Sequence, residues 1–164
     1  MDPQTYKLAL ALIELCREKK LTIVTAESCT GGLVAGALTE IPGSSDVFDR
    51  GFVTYSNAAK QRMLGVADEI ISSQGAVSRP VAEAMARGAL TFAPASLAVA
   101  VTGIAGPGGG SAVKPVGLVH LAAATRDGLM LHREKRFGEI TRSEIRQQSV
   151  IEAVELLTEL ANEA

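Results

Sequence analysis

Ser28 stands in the run Thr25-Ala26-Glu27-Ser28-Cys29-Thr30-Gly31-Gly32, between an apolar β-branched stretch (Leu21 to Val24) and a small-residue helical pattern (Leu33 to Leu38). A hydroxyl where a strand hands over to a helix sits among main-chain N–H groups that lack an intrahelical partner. Those groups favour negative charge, including the oxyanion formed when a nucleophile attacks a carbonyl. The same residues also suit a plainer role, with Ser28 or Thr30 capping the helix and the glycines easing its packing. A second polar cluster, Tyr55-Ser56-Asn57-Ala58-Ala59-Lys60, closes another apolar run. Lys60 is expected about one turn into a short helix capped by Asn57, close to the strand that carries Tyr55. A partly desolvated amine near a helix start has a lowered pKa and can act as general base for a serine hydroxyl. The alternative is a solvated surface lysine. Tyr55 either donates a hydrogen bond near the nucleophile or is a core aromatic with a wet tip.

A third cluster runs from Thr102 through Gly103-Ile104-Ala105-Gly106-Pro107-Gly108-Gly109-Gly110-Ser111. Closely spaced glycines let main-chain N–H groups approach an anionic ligand. The loop is neither a Walker A motif nor G-x-G-x-x-G, because Ser111 stands where the last glycine would fall. Ser28 lies in neither a G-x-S-x-G elbow nor an S-x-x-K centre. The only histidines, His120 and His132, fall on expected hairpin strands and read as structural or exposed. With them set aside, a histidine-based triad has no base and a Cys/His zinc site has no ligand set.

The elements that must position these clusters follow from periodicity. Residues 3 to 19 place Leu8, Leu12 and Leu15 on one helical face. Leu21 to Ala26 reads as a buried strand, about Thr30 to Glu40 as a helix, Gly51 to Ser56 as a second strand, and Leu97 to Thr102 as a third. A helix starts near Pro80, a residue welcome in a first helical turn. Val116 to Thr125 and Leu129 to Phe137 form a hairpin turning at Arg126-Asp127-Gly128. A last helix covers about Arg142 to Ala161, burying Ile145, Ile151, Val154 and Leu157. Strands alternating with helices early and a hairpin late predict a layered α/β domain with a mixed sheet. Open α/β sheets place sites at strand ends, where all three polar clusters fall.

Bulk properties narrow the function. The chain has 164 residues, 47% of them hydrophobic and 21% charged, which suits one domain, 1–164, with a real core. With 4% aromatic residues, no tryptophan and a net charge of −2, it lacks base-stacking platforms and a basic patch, so nucleic acid is a poor partner. The two cysteines, Cys16 and Cys29, form no disulfide framework, which points to a reducing cytoplasm. No stretch reads as a signal peptide or reaches transmembrane length, so no membrane partner is expected.

Taken together, Ala26-Glu27-Ser28-Cys29-Thr30-Gly31-Gly32, Gly51-Phe52-Val53-Thr54-Tyr55-Ser56-Asn57, Gly75-Ala76-Val77-Ser78 and Thr102-Gly103-Ile104-Ala105-Gly106-Pro107 closely resemble the CinA C-terminal domain family, and within it the short stand-alone nicotinamide-nucleotide amidohydrolases. The four segments occur in the family's order over nearly the whole chain. The resemblance implies a three-layer α/β/α fold and hydrolysis of the carboxamide of nicotinamide mononucleotide to nicotinate mononucleotide and ammonia. It implies a serine–lysine mechanism without metal or cofactor, with Ser28 as nucleophile, Lys60 as base and Tyr55 assisting. It also suggests a homo-oligomer, with a dimer favoured. Cys29 offers a thiol beside Ser28, but the family's nucleophile is the hydroxyl and no histidine is near to form a thiolate.

Main-chain N–H groups around Thr30, Gly31 and Gly32 are the expected oxyanion donors. Thr102, Gly103 and Gly106, with Arg142 and Arg146 of the last helix, are the expected substrate contacts; arginine suits phosphate through its forked donors. For each arginine the alternative is a solvated helix face. The family commonly has Gly-Asp-Arg before this helix, where Ile140-Thr141-Arg142 stands here. The competing functional class is a non-enzymatic nucleotide- or partner-binding domain linked to DNA uptake and repair, supported only by the glycine loop.

Overall fold

Asp2 accepts the N–H groups of Gln4 and Thr5, and Pro3 takes the first helical position, so α1 (Pro3–Lys19) begins where the sequence predicts. The computed structural model describes residues 1–164. After α1 come β1 (Ile23–Glu27), α2 (Leu33–Thr39), a 3-10 turn (Ser44–Asp46), β2 (Phe48–Val53), α3 (Asn57–Leu64), α4 (Asp68–Gln74) and α5 (Arg79–Phe92). The chain then runs through β3 (Leu97–Gly103), β4 (Leu118–Thr125) and β5 (Met130–Arg136) to α6 (Arg142–Glu163).

The strands form one sheet in the order β2-β1-β3-β4-β5. β1 pairs in parallel with β2 and β3, while β3–β4 and β4–β5 are antiparallel. This is the mixed sheet that the residue pattern predicts. Side chains alternate across a strand, and two apolar layers result. Ile23, Leu97, Val99 and Leu121 pack against α1, α2 and α6. Val24, Ala26, Ala98, Ala100 and Ala122 pack with Val81, Met85 and Ala89 of α5 and Leu64 of α3. The fold is three layers, α/β/α.

The chain leaves β1 towards β2 on one side and later returns to β3 on the other. β1 is therefore the switch point at which such sheets open a crevice beyond their carboxyl ends. Register brings Glu27 opposite both Val53 and Val101. One bond further, the Ser28 N–H donates to Val101 O at 2.9 Å and the Thr54 N–H to Glu27 O at 2.8 Å. Ser28, Thr54 and Thr102 thus emerge side by side.

Several boundaries differ from expectation. β1 starts at Ile23 and keeps Glu27 as its last residue. β2 is Phe48–Val53 rather than Gly51 to Ser56, because its pairing with β1 ends at Val53. Tyr55 and Ser56 therefore lie beyond the strand. Ser56, not Asn57, caps α3, its Oγ accepting the Ala59 N–H at 3.0 Å. α4 has no counterpart in the sequence expectation: seven residues with only Ile71 buried show no periodicity.

Candidate active site

Neither Ser28 nor Thr30 caps α2. Gly32 holds the cap position at φ 102°, a left-handed conformation that favours glycine. The side-chain acceptor is Glu27, which alternation sends to the α2 face of the sheet. Its Oε1 accepts the Val34 N–H at 2.9 Å and the Thr30 hydroxyl at 2.6 Å, and its Oε2 accepts the Ala35 N–H at 3.0 Å. A carboxylate 1% exposed thus sits on the positive end of the helix, and its charge is met by three donors.

The next residue points to the opposite face, where α3 lies. Ser28 Oγ is 3.0 Å from Lys60 Nζ. Lys60 is 1% exposed, which overturns the surface-lysine alternative. Nζ also faces the main-chain carbonyls of Thr54 at 3.0 Å and Tyr55 at 3.3 Å. Burial holds the Lys60 pKa below the ordinary lysine value of 10.5. A neutral amine has two N–H bonds and one lone pair; the two carbonyls suit the former and the Ser28 O–H the latter. The helix carrying Lys60 is held by close packing. A Cβ on Gly88 of α5 would meet the Leu64 carbonyl oxygen at 2.0 Å, so glycine lets α5 lie against the end of α3.

The turn after Ser28 has an uneven distribution of donors. The Gly31 N–H bonds Ser28 O and the Leu33 N–H bonds Thr30 O, both at 3.0 Å. The Cys29 N–H, like those of Thr30 and Gly32, has no main-chain or side-chain acceptor in the protein. Of the three expected oxyanion donors, Gly31 is already engaged. Burial pushes the Cys29 thiol up to about 11, leaving it protonated at neutral pH.

A cleft of about 200 Å³ opens on this corner, lined by Ser28, Cys29, Tyr55, Asn57, Lys60, Ala76, Val77, Thr102, Gly103, Ala105 and Arg142. The Thr102 hydroxyl donates to Ala76 O at 2.9 Å, tying the α4–α5 connection over the end of β3. Tyr55 is 60% exposed, so it is no core aromatic. Its hydroxyl accepts from Arg142 Nη2 at 2.8 Å, while Arg142 Nη1 donates to Gly106 O at 2.7 Å. Gly106 thus serves the site through its carbonyl and does not line the cleft.

Arg146 is not a cleft residue. Its Nε donates to Cys29 O at 3.1 Å and its Nη2 to Thr30 O at 3.4 Å, from the far side of the Ser28 turn. The helix bearing both arginines starts with a capping box formed by Thr141 and Glu144. Glu27, Asn57, Ala76, Val77 and Ala105 are site residues that sequence reasoning did not single out.

Fold and site together define an α/β/α domain with a buried serine–lysine pair at the mouth of a small cleft. The CinA C-terminal domain family model matches residues 5–161, and the chain belongs to this family. It is 49% identical over 163 residues to a nicotinamide-nucleotide amidohydrolase, PncC, of Pseudomonas putida, covering 99% of this chain and 100% of that one. It is 54% identical over 118 residues to a putative competence-damage inducible protein of Caldicellulosiruptor bescii, covering 72% of this chain but only 29% of that longer protein. The crystal structure of competence/damage inducible protein CihA from Agrobacterium tumefaciens superposes with a TM-score of 0.96 at 57% identity, covering 98% of this chain and 97% of that one.

Proposed function

We propose that this chain, residues 1–164 acting as one domain, hydrolyses the carboxamide of nicotinamide mononucleotide to nicotinate mononucleotide and ammonia. The observation that carries the reading is the 3.0 Å contact between Ser28 Oγ and a buried Lys60 amine with no carboxylate among its partners. Full-length similarity to a protein named for this activity supports the substrate.

Neutral Lys60 takes the Ser28 proton as Oγ attacks the amide carbon. The Thr30 N–H, with that of Gly32, stabilises the oxyanion. Protonated Lys60 returns its proton to the departing ammonia; water deprotonated by the same amine then cleaves the acyl-serine. The ammonium state is transient and is held meanwhile by the Thr54 and Tyr55 carbonyls. Arg142, fixed by Tyr55 Oη and Gly106 O at the cleft wall, presents its guanidinium to the substrate phosphate. Two buried cysteines without a disulfide suit a reducing compartment. The experiment is to incubate purified wild type and Ser28→Ala with nicotinamide mononucleotide and to follow ammonia and nicotinate mononucleotide. Equimolar products from the wild type alone support the reading; turnover by Ser28→Ala overturns the nucleophile.

A further inference from the structure

Arg146 contacts the Ser28 turn from behind, and its two hydrogen bonds define what it does. Its Nε and Nη2 engage the carbonyls of consecutive residues, Cys29 and Thr30. The only cis peptide is Gly106–Pro107, so the Cys29–Thr30 peptide is trans. In a trans peptide the N–H points opposite to the C=O. With Cys29 O drawn onto the guanidinium, the Thr30 N–H is turned away from Arg146, and it has no protein acceptor. A cation on the carbonyl also polarises that amide and strengthens its N–H as a donor. The other grip on the same residue is Glu27, whose Oε1 holds the Thr30 hydroxyl at 2.6 Å. Thr30 is therefore fixed by an acid on the side chain and a base on the carbonyls, with its N–H left free. Gly31 is part of this fit: a Cβ there would stand 3.3 Å from Arg146 Nη2.

We infer that Arg146 is a positioning residue that aims the Thr30 N–H as oxyanion donor, and is not a ligand of the substrate phosphate. This replaces the sequence expectation for Arg146 and rests on the amidohydrolase reading.

The two roles separate in kinetics. A phosphate ligand acts on substrate binding, whereas a group that aims an oxyanion donor acts on kcat with KM unchanged. Steady-state constants are measured for wild type, Arg146→Ala, Arg146→Lys and Arg142→Ala. The substrates are nicotinamide mononucleotide and nicotinamide riboside, which has the same amide without the phosphate. Arg146→Ala is expected to lower kcat roughly a hundredfold, the scale of one lost oxyanion donor. KM should stay within about twofold, and the preference for the phosphorylated substrate should be unchanged. Arg146→Lys keeps one donor and the charge and should recover part of the loss. Arg142→Ala should instead raise KM for the nucleotide and erase the preference. A raised KM and lost preference in the Arg146 variants, with kcat retained, would overturn the assignment.

Labelling of Ser28 by a fluorophosphonate, followed by intact mass, gives a readout independent of the natural substrate and of the alanine variant's folding. Slower labelling of folded Arg146→Lys supports the assignment even where the nucleotide is not turned over. Equal rates, or a wild type that takes no label, overturn it.

Discussion

Two pairs, one buried and one half-buried, sit on the α5 face of the same sheet. Ser28 Oγ and Lys60 Nζ are 3.0 Å apart; His120 Nδ1 and His132 Nε2 are 2.9 Å apart on β4 and β5. In both pairs burial lowers the pKa of the nitrogen bases. Their surroundings differ. Lys60 faces a hydroxyl and two neutral carbonyls at the wall of a cleft, beside N–H groups that have no acceptor. The imidazoles face each other, stacked with ring centroids 5.2 Å apart, with Glu134 3.7 Å beyond His120 Nε2, and neither ring lines the cleft. On the proposed function, a perturbed base becomes chemically useful when its partner is a nucleophile facing open volume with donors for the resulting charge.

The largest effect that sharpens this contrast is expected from Lys60→Met. It removes the proposed base and should lower kcat/KM by about 10³-fold or more, measured by nicotinate mononucleotide formation. The same variant should be more stable than wild type at pH 7. Between the lowered folded pKa of Lys60 and 10.5, the unfolded chain binds a proton that the folded protein does not, so wild-type stability rises with pH across that window. The gain in Tm from Lys60→Met should therefore narrow as pH approaches 10.5. A lower Tm at pH 7 would break the account of a neutral buried amine. In the wild type, kcat/KM should rise with pH through the lowered pKa as Lys60 loses its proton.

Glu27→Gln should have the next largest effect. One acceptor oxygen becomes an NH₂ facing donors, leaving at least one buried group unpaired at a cost of about 1–3 kcal/mol. Urea unfolding would measure that loss, and kcat should fall with KM retained because the Ser28 turn loosens. His132→Gln should have the smallest effect on chemistry, leaving kcat/KM within about twofold because His132 lies on β5, one strand beyond the His120 that pairs with Thr102. It should act instead on the acid limb of stability. With both imidazoles titrating below 6.5 in the folded state, wild-type stability falls as pH drops below 6.5, and the variant should flatten that fall. A large loss of activity would erase the distinction between the two pairs.

Much of this corner is legible in sequence. The apolar run ending at Glu27, the small-residue helix after Gly32 and the polar cluster around Lys60 mark strand ends and helix starts by residue type alone. Depth and direction are not legible. Position alone leaves Lys60 open between a partly desolvated base and a surface lysine, because lysines rarely bury without an acidic partner and its partners here are carbonyls whose aim depends on where β2 stops. Glu27 escapes notice because it caps a helix starting six residues later, around a glycine turn, rather than from the usual cap position. Arg146 reads as a phosphate ligand because its partners lie 117 and 116 residues away along the chain. Ala76 and Val77 belong to a connection without periodicity, and only the Thr102 bond to Ala76 O brings them over the cleft.

The most direct test of the central claim is to find which residue carries the acyl group. Wild type is mixed with nicotinamide mononucleotide, quenched in acid within the first turnover and digested for mass spectrometry. The expected result is an acyl adduct on Ser28, with neither adduct nor nicotinate mononucleotide from Ser28→Ala. An adduct on Cys29, or continued product release by Ser28→Ala, would contradict the account.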